Sequence, residues 1–105
     1  MNFSDNLAAL PAVDQLARVD LLAGGQVVAS IENRPGSAGS VRVYAWLARQ
    51  FGRIDVVAAA EGLRLYAEHT EDARSHPGKH PNIDRLFAIA AGGAPLEVAL
   101  ISAGK

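Results

Sequence analysis

All three histidines of this 105-residue chain fall between positions 69 and 80. They belong to Glu68–Arg85, which reads Glu-His-Thr-Glu-Asp-Ala-Arg-Ser-His-Pro-Gly-Lys-His-Pro-Asn-Ile-Asp-Arg. His69, Asp72, His76, Lys79, His80 and Asp84 are the candidate polar corner. Imidazoles among carboxylates can hold zinc or a related ion, or move protons near neutral pH. The spacing matches no metal signature. His76 and His80 are four apart, but Pro77-Gly78 between them prevents the helical geometry of a zinc-protease pair, and no glutamate follows His76. His69 and Asp72 can share one helix face, so a metal site requires the loop to fold back over the end of a preceding helix. The plainer reading is a solvated corner, with His69 and His76 at a helix C-terminus and Asp84 near the N-terminus of the next helix.

A second candidate is the loop Arg34-Pro-Gly-Ser-Ala-Gly-Ser40. It leaves a strand and opens a helix, and free N–H groups at a positive helix end can hold a phosphate or carboxylate. Arg34, Gly36, Ser37, Gly39 and Ser40 are the residues concerned. The loop is neither a Walker sequence nor Gly-x-Gly-x-x-Gly, and a Gly/Ser loop is more often only a connection. A third candidate is a surface stripe of Arg42, Trp46, Arg49 and Gln50. A half-exposed Trp between arginines has the composition of an interface hot spot. The alternative is an indole covered by a neighbouring segment, with an arginine stacked on it. Nucleophilic catalysis has no support: there is no Gly-x-Ser-x-Gly elbow.

Composition narrows the classes further. Half of the residues are hydrophobic and 20% are charged, an ordinary globular balance for one domain spanning 1–105. The net charge of −1 supplies no field for nucleic acid or anionic lipid, so nucleic-acid binding rests on Arg42, Trp46 and Arg49 alone. Cysteine is absent, which removes disulfides, thiolate metal sites and cysteine nucleophiles. The opening Met-Asn-Phe-Ser-Asp is not a signal sequence, and no apolar run approaches the ~20 residues that span a bilayer, so a cytoplasmic protein without membrane contact is expected.

The elements that must position these residues follow from periodicity. Ser4–Leu10 can form a short helix capped by Ser4 or Asp5 and stopped by Pro11, with Leu7 and Leu10 inward. Val13–Ala23 alternates as a strand, Gly24-Gly25 supplies the positive φ angles of a hairpin, and Gln26–Glu32 returns with Val27, Ala29 and Ile31 on one face. Ser40 is the expected N-cap of a helix Val41–Phe51. Its apolar arc holds Val41, Tyr44, Ala45, Leu47, Ala48 and Phe51, and Gly52 ends it. Asp55 caps a long helix to about Arg74, with Val56, Ala59, Ala60, Leu63, Tyr66, Ala67 and Thr70 inward and an Arg64–Glu68 pair outward. Gly62 inside it costs about 1 kcal/mol relative to Ala, which close packing against another backbone would explain. Pro77, Gly78 and Pro81 break the chain before a helix Asn82–Ala91. Leu96–Ile101 alternates as a last strand, and 102–105 reads as a loose tail. The expected fold is α+β: a three-stranded, mostly antiparallel sheet, made of the N-terminal hairpin plus the C-terminal strand, covered on one face by three to four helices.

The phrase Leu65-Tyr-Ala-Glu-His-Thr-Glu-Asp-Ala-Arg, followed by His-Pro-Gly-Lys-His-Pro-Asn-Ile-Asp-Arg-Leu, resembles a family of short bacterial proteins of unknown function. The segment Val-Asp-Leu-Leu…Val-Val-Ala-Ser-Ile-Glu-Asn-Arg-Pro-Gly is similar to the N-terminal part of the same family. The resemblance covers nearly the whole chain. It implies a stand-alone bacterial protein, and it carries over no activity, cofactor or catalytic residue. With no catalytic signature, the expected function is a non-enzymatic binding or protein-interaction module, its partner another protein or a second copy in a homodimer. The alternative is a metal- or anion-binding sensor or small enzyme built on His69, His76 and His80. No cofactor is predicted.

Overall fold

The computed structural model describes residues 2–104. The chain runs α1 (Phe3–Ala8), β1 (Leu16–Ala23), β2 (Gln26–Glu32), α2 (Ala38–Phe51), α3 (Val56–Tyr66), α4 (Glu68–Ser75), α5 (Pro81–Ala90) and β3 (Glu97–Ser102). The three strands form one antiparallel sheet in the order β2-β1-β3, so the hairpin and the C-terminal strand meet as the alternation requires. The fold is α+β, with five helices because the expected long helix is two. No helix among the described residues is long and apolar enough to cross a membrane.

Val19, Leu21 and Ile31 point from the sheet into the core, where α2 brings Val41, Val43, Tyr44, Ala45 and Leu47 against them. The face carrying Arg18, Asp20 and Ser30 bears no helix residue of that core. There Asp20 is buried but served by Arg18 Nε at 2.9 Å and by the Ser30 hydroxyl at 2.7 Å, and these bonds hold its carboxyl below the usual range. Gly24 and Gly25 form the hairpin turn with φ of 60° and 83°. Beyond it β2 departs from simple alternation. Leu21 pairs with Ala29 but Leu22 pairs with Val27, so Val28 bulges out of register. The extra residue turns Val27 away from the face of Ala29 and Ile31, and Val27 is 55% exposed.

Several boundaries also shift. Asn2, rather than Ser4 or Asp5, caps α1: its side chain accepts the Asp5 N–H at 2.8 Å, and the Asp5 carboxylate reaches back to the Asn2 N–H. The second helix begins at Ala38, before the expected cap Ser40, because Arg34 O accepts the Ser37 and Ala38 N–H groups and winds the first turn early. Phe51, Val56 and Ala60 face outward, since α2 and α3 are covered only along the stripe that meets the sheet and α5. Ser102, expected to start a loose tail, ends β3 opposite Leu16, and the Ala103 N–H donates to Gln15 O at 2.9 Å. Lys105 lies outside the described residues.

The largest departure is at Ala67, which holds φ 52° and ψ −116° and separates α3 from α4. Helix periodicity runs straight through this point, so tertiary contacts decide it. The carbonyls released by the break are taken up elsewhere: Leu63 O accepts from the Thr70 hydroxyl at 2.6 Å, and Leu65 O from Asn6 Nδ2 at 2.9 Å. Glu68 is drawn to the Phe3 N–H at 2.8 Å, so Arg64 pairs with Glu61 instead of Glu68.

Gly62 is buried where α3 crosses two other helices. A Cβ there would lie 2.7 Å from Leu86 Cδ1 and 2.9 Å from Leu47 Cδ1. Both leucines are fully buried. Overpacking of this kind costs about 1–3 kcal/mol, while alanine returns about 1 kcal/mol of helix propensity. Gly62→Ala is expected to lower stability by about 1 kcal/mol net in urea unfolding, and Gly62→Val by more. At Ala67 the sign reverses. Relief of the left-handed backbone makes Ala67→Gly stabilising by about 0.5–1 kcal/mol in the same measurement.

Candidate functional site

Two of the sequence-distant candidates meet in one cleft of about 460 Å³. One wall is the start of α2 with the loop before it, contributing Gly36, Gly39 and Ser40. The opposite wall is the corner between α4 and α5, contributing His69, Lys79 and His80. Phe3 and Leu7 of α1, Tyr66 at the end of α3, and Pro81, Asn82 and Ile83 opening α5 complete the lining.

Tyrosine hydroxyls hold the walls at their spacing. The Tyr66 hydroxyl donates to Ser40 Oγ at 2.6 Å, tying the end of α3 to the first turn of α2. The Tyr44 hydroxyl donates to Asn82 O at 2.6 Å, tying the middle of α2 to the first turn of α5. Burial pushes the Tyr44 hydroxyl up to about 12 and raises that of Tyr66 as well, so both stay protonated donors at physiological pH. Arg85 supports the second contact, donating to Tyr44 Oη at 3.2 Å and to Asn82 Oδ1 at 2.9 Å.

The first turn of α2 has donors to spare. The Ala38 and Val41 N–H groups are bonded to Arg34 O and Ser37 O. The Gly39 and Ser40 N–H groups find no protein acceptor among the described residues, as expected for the open end of a helix. Gly39 has a structural use too, since a Cβ would lie 3.3 Å from both Leu7 Cδ1 and Phe3 Cζ, and its absence lets α1 settle on α2. Arg34 and Ser37 stand outside the lining: Arg34 is exposed, and the Ser37 hydroxyl donates to Glu32 O.

Asp72 organises the other wall. Its Oδ2 accepts from His80 Nε2 at 2.6 Å and from Lys79 Nζ at 2.9 Å, and His76 Nδ1 lies 3.2 Å from Oδ1. The His80 bond first, then the Lys79 bond, hold this carboxyl well below the usual carboxylate range. Asp84 accepts the Gly78 N–H at 2.9 Å and fixes the turn. The histidines do not act as one set. The rings of His69 and His80 are 5.9 Å apart and both line the cleft, whereas His76 stays on the exposed side of Asp72. Among the described residues no group of three or more histidines and carboxylates is placed to hold a metal ion.

The stripe on α2 is divided differently. Arg42 turns to the connection after α1, donating from Nε to Pro11 O at 3.1 Å and from Nη2 to Leu10 O. Trp46 is half-buried against the core, and Arg49 and Gln50 are exposed. Sequence reasoning missed Phe3, which stacks on Tyr66 at 5.2 Å and meets the His69 ring edge-on at 4.9 Å. A lone aromatic in a six-residue helix has no periodicity to announce it. Tyr66 was legible only as an apolar-face residue.

The lowered Asp72 carboxyl sets a pH dependence. Its partners stabilise the charged form, so the contribution is complete above the unfolded carboxylate value near 4 and fades as pH falls below it. Asp72→Asn is expected to be less stable than the parent protein at neutral pH. Thermal melts between pH 7 and 2 should show this gap closing below about pH 4; a gap independent of pH would contradict the arrangement.

Residues 3–100 match the family model described as "Uncharacterized protein conserved in bacteria (DUF2322)". Comparison with curated proteins and with solved structures finds no match. With the match running from the first turn of α1 into β3, the chain belongs to this family of uncharacterised bacterial proteins.

Proposed function

We propose that this protein is a cytoplasmic binding module whose cleft takes a small anion, without a catalytic step of its own. The observation that carries this reading is the convergence of the Gly36–Ser40 wall and the His69–His80 wall on a single cavity that no acidic side chain lines. Its volume of about 460 Å³ falls in the range of small-molecule sites. The starts of α2 and α5 border it, and each brings the positive end of a helix dipole. Lys79 supplies a full positive charge, and the Gly39 and Ser40 N–H groups supply donors. Asp72 is not in the lining; it bonds Lys79 and His80 and holds them in place.

The absence of a Gly-x-Ser-x-Gly elbow and the commitment of His80 Nε2 to Asp72 favour binding over reaction. The stripe of Arg42, Trp46, Arg49 and Gln50 is the weaker basis for a function, because Arg42 is engaged by the Leu10 and Pro11 carbonyls.

Titration of the ¹⁵N-labelled protein with sodium acetate and with sodium phosphate at constant ionic strength tests the reading. The amides of Gly39, Ser40 and Lys79 are expected to shift together and to saturate. Lys79→Met is expected to weaken the binding about five- to tenfold, the loss of one charged contact of about 1–1.4 kcal/mol. Small, non-saturating shifts spread over the exposed arginines, such as Arg49 and Arg53, would overturn it.

A further inference from the structure

We infer that the ligand of this cleft is a monocarboxylate carried on a flat, apolar body; the inference rests on the anion reading above and gives its chemical class. Two features point the same way. The first is the amount of charge. Among the described residues Lys79 is the only lysine in the lining, and no arginine lines the cleft. Its ammonium is already shared with Asp72 at 2.9 Å, as is the His80 ring at 2.6 Å. What remains to meet a ligand is part of one permanent charge and backbone N–H groups, those of Gly39 and Ser40 on one wall and of Asn82 on the other. That is enough for one carboxylate. A diphosphate or triphosphate would bring more negative charge than the walls answer, and the forked arginine contacts that commonly hold phosphate are missing.

The second feature is the apolar part of the wall. Phe3 and Tyr66 stack within 15° of parallel, with ring centres 5.2 Å apart, and the Phe3 ring meets His69 edge-on. Leu7 lines the same cavity and, with Phe3, supplies its partly exposed apolar surface, while Tyr66 and Ile83 are buried behind them. An inorganic anion would leave this surface wet and most of the 460 Å³ unused. A ring or short planar chain beside the carboxylate would cover it, gaining about 25 cal/mol for each Å² of apolar surface removed from water. The carboxylate then lies between the first turn of α2 and Lys79, and the apolar body toward Phe3 and Leu7.

Calorimetric titration of the whole chain with phenylacetate, acetate, inorganic phosphate and ADP tests this. Phenylacetate is expected to bind at least tenfold more tightly than acetate, and more tightly than phosphate or ADP. Phe3→Leu keeps the helix contact apolar while removing the ring, and should weaken phenylacetate by a larger factor than acetate, so that the ratio of the two affinities falls. Leu7→Ala provides a second reading of the same wall. Equal affinity for acetate and phenylacetate, or tighter binding of phosphate or ADP, would overturn the inference and leave the anion reading standing. Binding of none of the four would remove both.

Discussion

Gly62 lies where α3 passes between α2 and α5, and its missing side chain sets how closely the three helices approach. With Leu47 and Leu86 closing on the bare backbone, α3 can sit deep enough for its last residue, Tyr66, to reach Ser40 in the first turn of α2. The same nesting brings the first turn of α5 to Tyr44. The openings of two helices that are distant in sequence are thereby held on either side of one cavity. The hydrophobic layer that binds α2 to the sheet would form without this contact. The cleft would not, because the wall facing the start of α2 belongs to α3, α4 and α5, which pack on α2 and on one another.

Electrostatics then finish what packing begins. The Ser75–His80 segment contains Pro77 and Gly78 and cannot hold its shape by a helical ladder. It is gathered around Asp72 instead, and pinned from the other side by Asp84. The carboxylate fixes the positions of Lys79 and His80 and at the same time limits their free charge. Positioning and attenuation come from one residue, so the charge this wall presents to the cavity is set by the group that builds it.

Much of the scaffold was legible in the residues. The Gly24-Gly25 hairpin, the placement of the last strand beside β1, the stop at Gly52 and the start at Pro81 all follow from local chemistry. A close approach at Gly62 was also legible, since a glycine inside a helix needs a reason, but its partners are the Leu47 and Leu86 side chains instead of the expected backbone. The break at Ala67 was not, because Leu63, Tyr66 and Thr70 continue the helical spacing across it and no glycine or proline marks it. The partners that make the break tolerable, Asn6 for Leu65 O and Phe3 for Glu68, come from the far end of the chain. Val28 hid its bulge for a similar reason: two adjacent valines read equally well in either register. The components of the site were visible as two separate motifs, but their meeting depends on contacts between residues more than twenty-five positions apart, which spacing along the chain does not encode.

The left-handed turn at Ala67 has a kinetic consequence. Because it interrupts the backbone ladder, α4 and the turn that follows share no main-chain helix bonds with α3 across the break beyond those that close the turn itself. They are held mainly by the Thr70 hydroxyl, Glu68, and the contacts with α5. This segment can detach as a unit while the Gly62 junction stays intact. Its amide protons should therefore exchange with solvent at a lower free energy than those of α2 or β1. The part of the molecule that opens most readily is the wall bearing His69, Lys79 and His80, and of the residues buried in α4 its opening uncovers only Thr70 and Ala73.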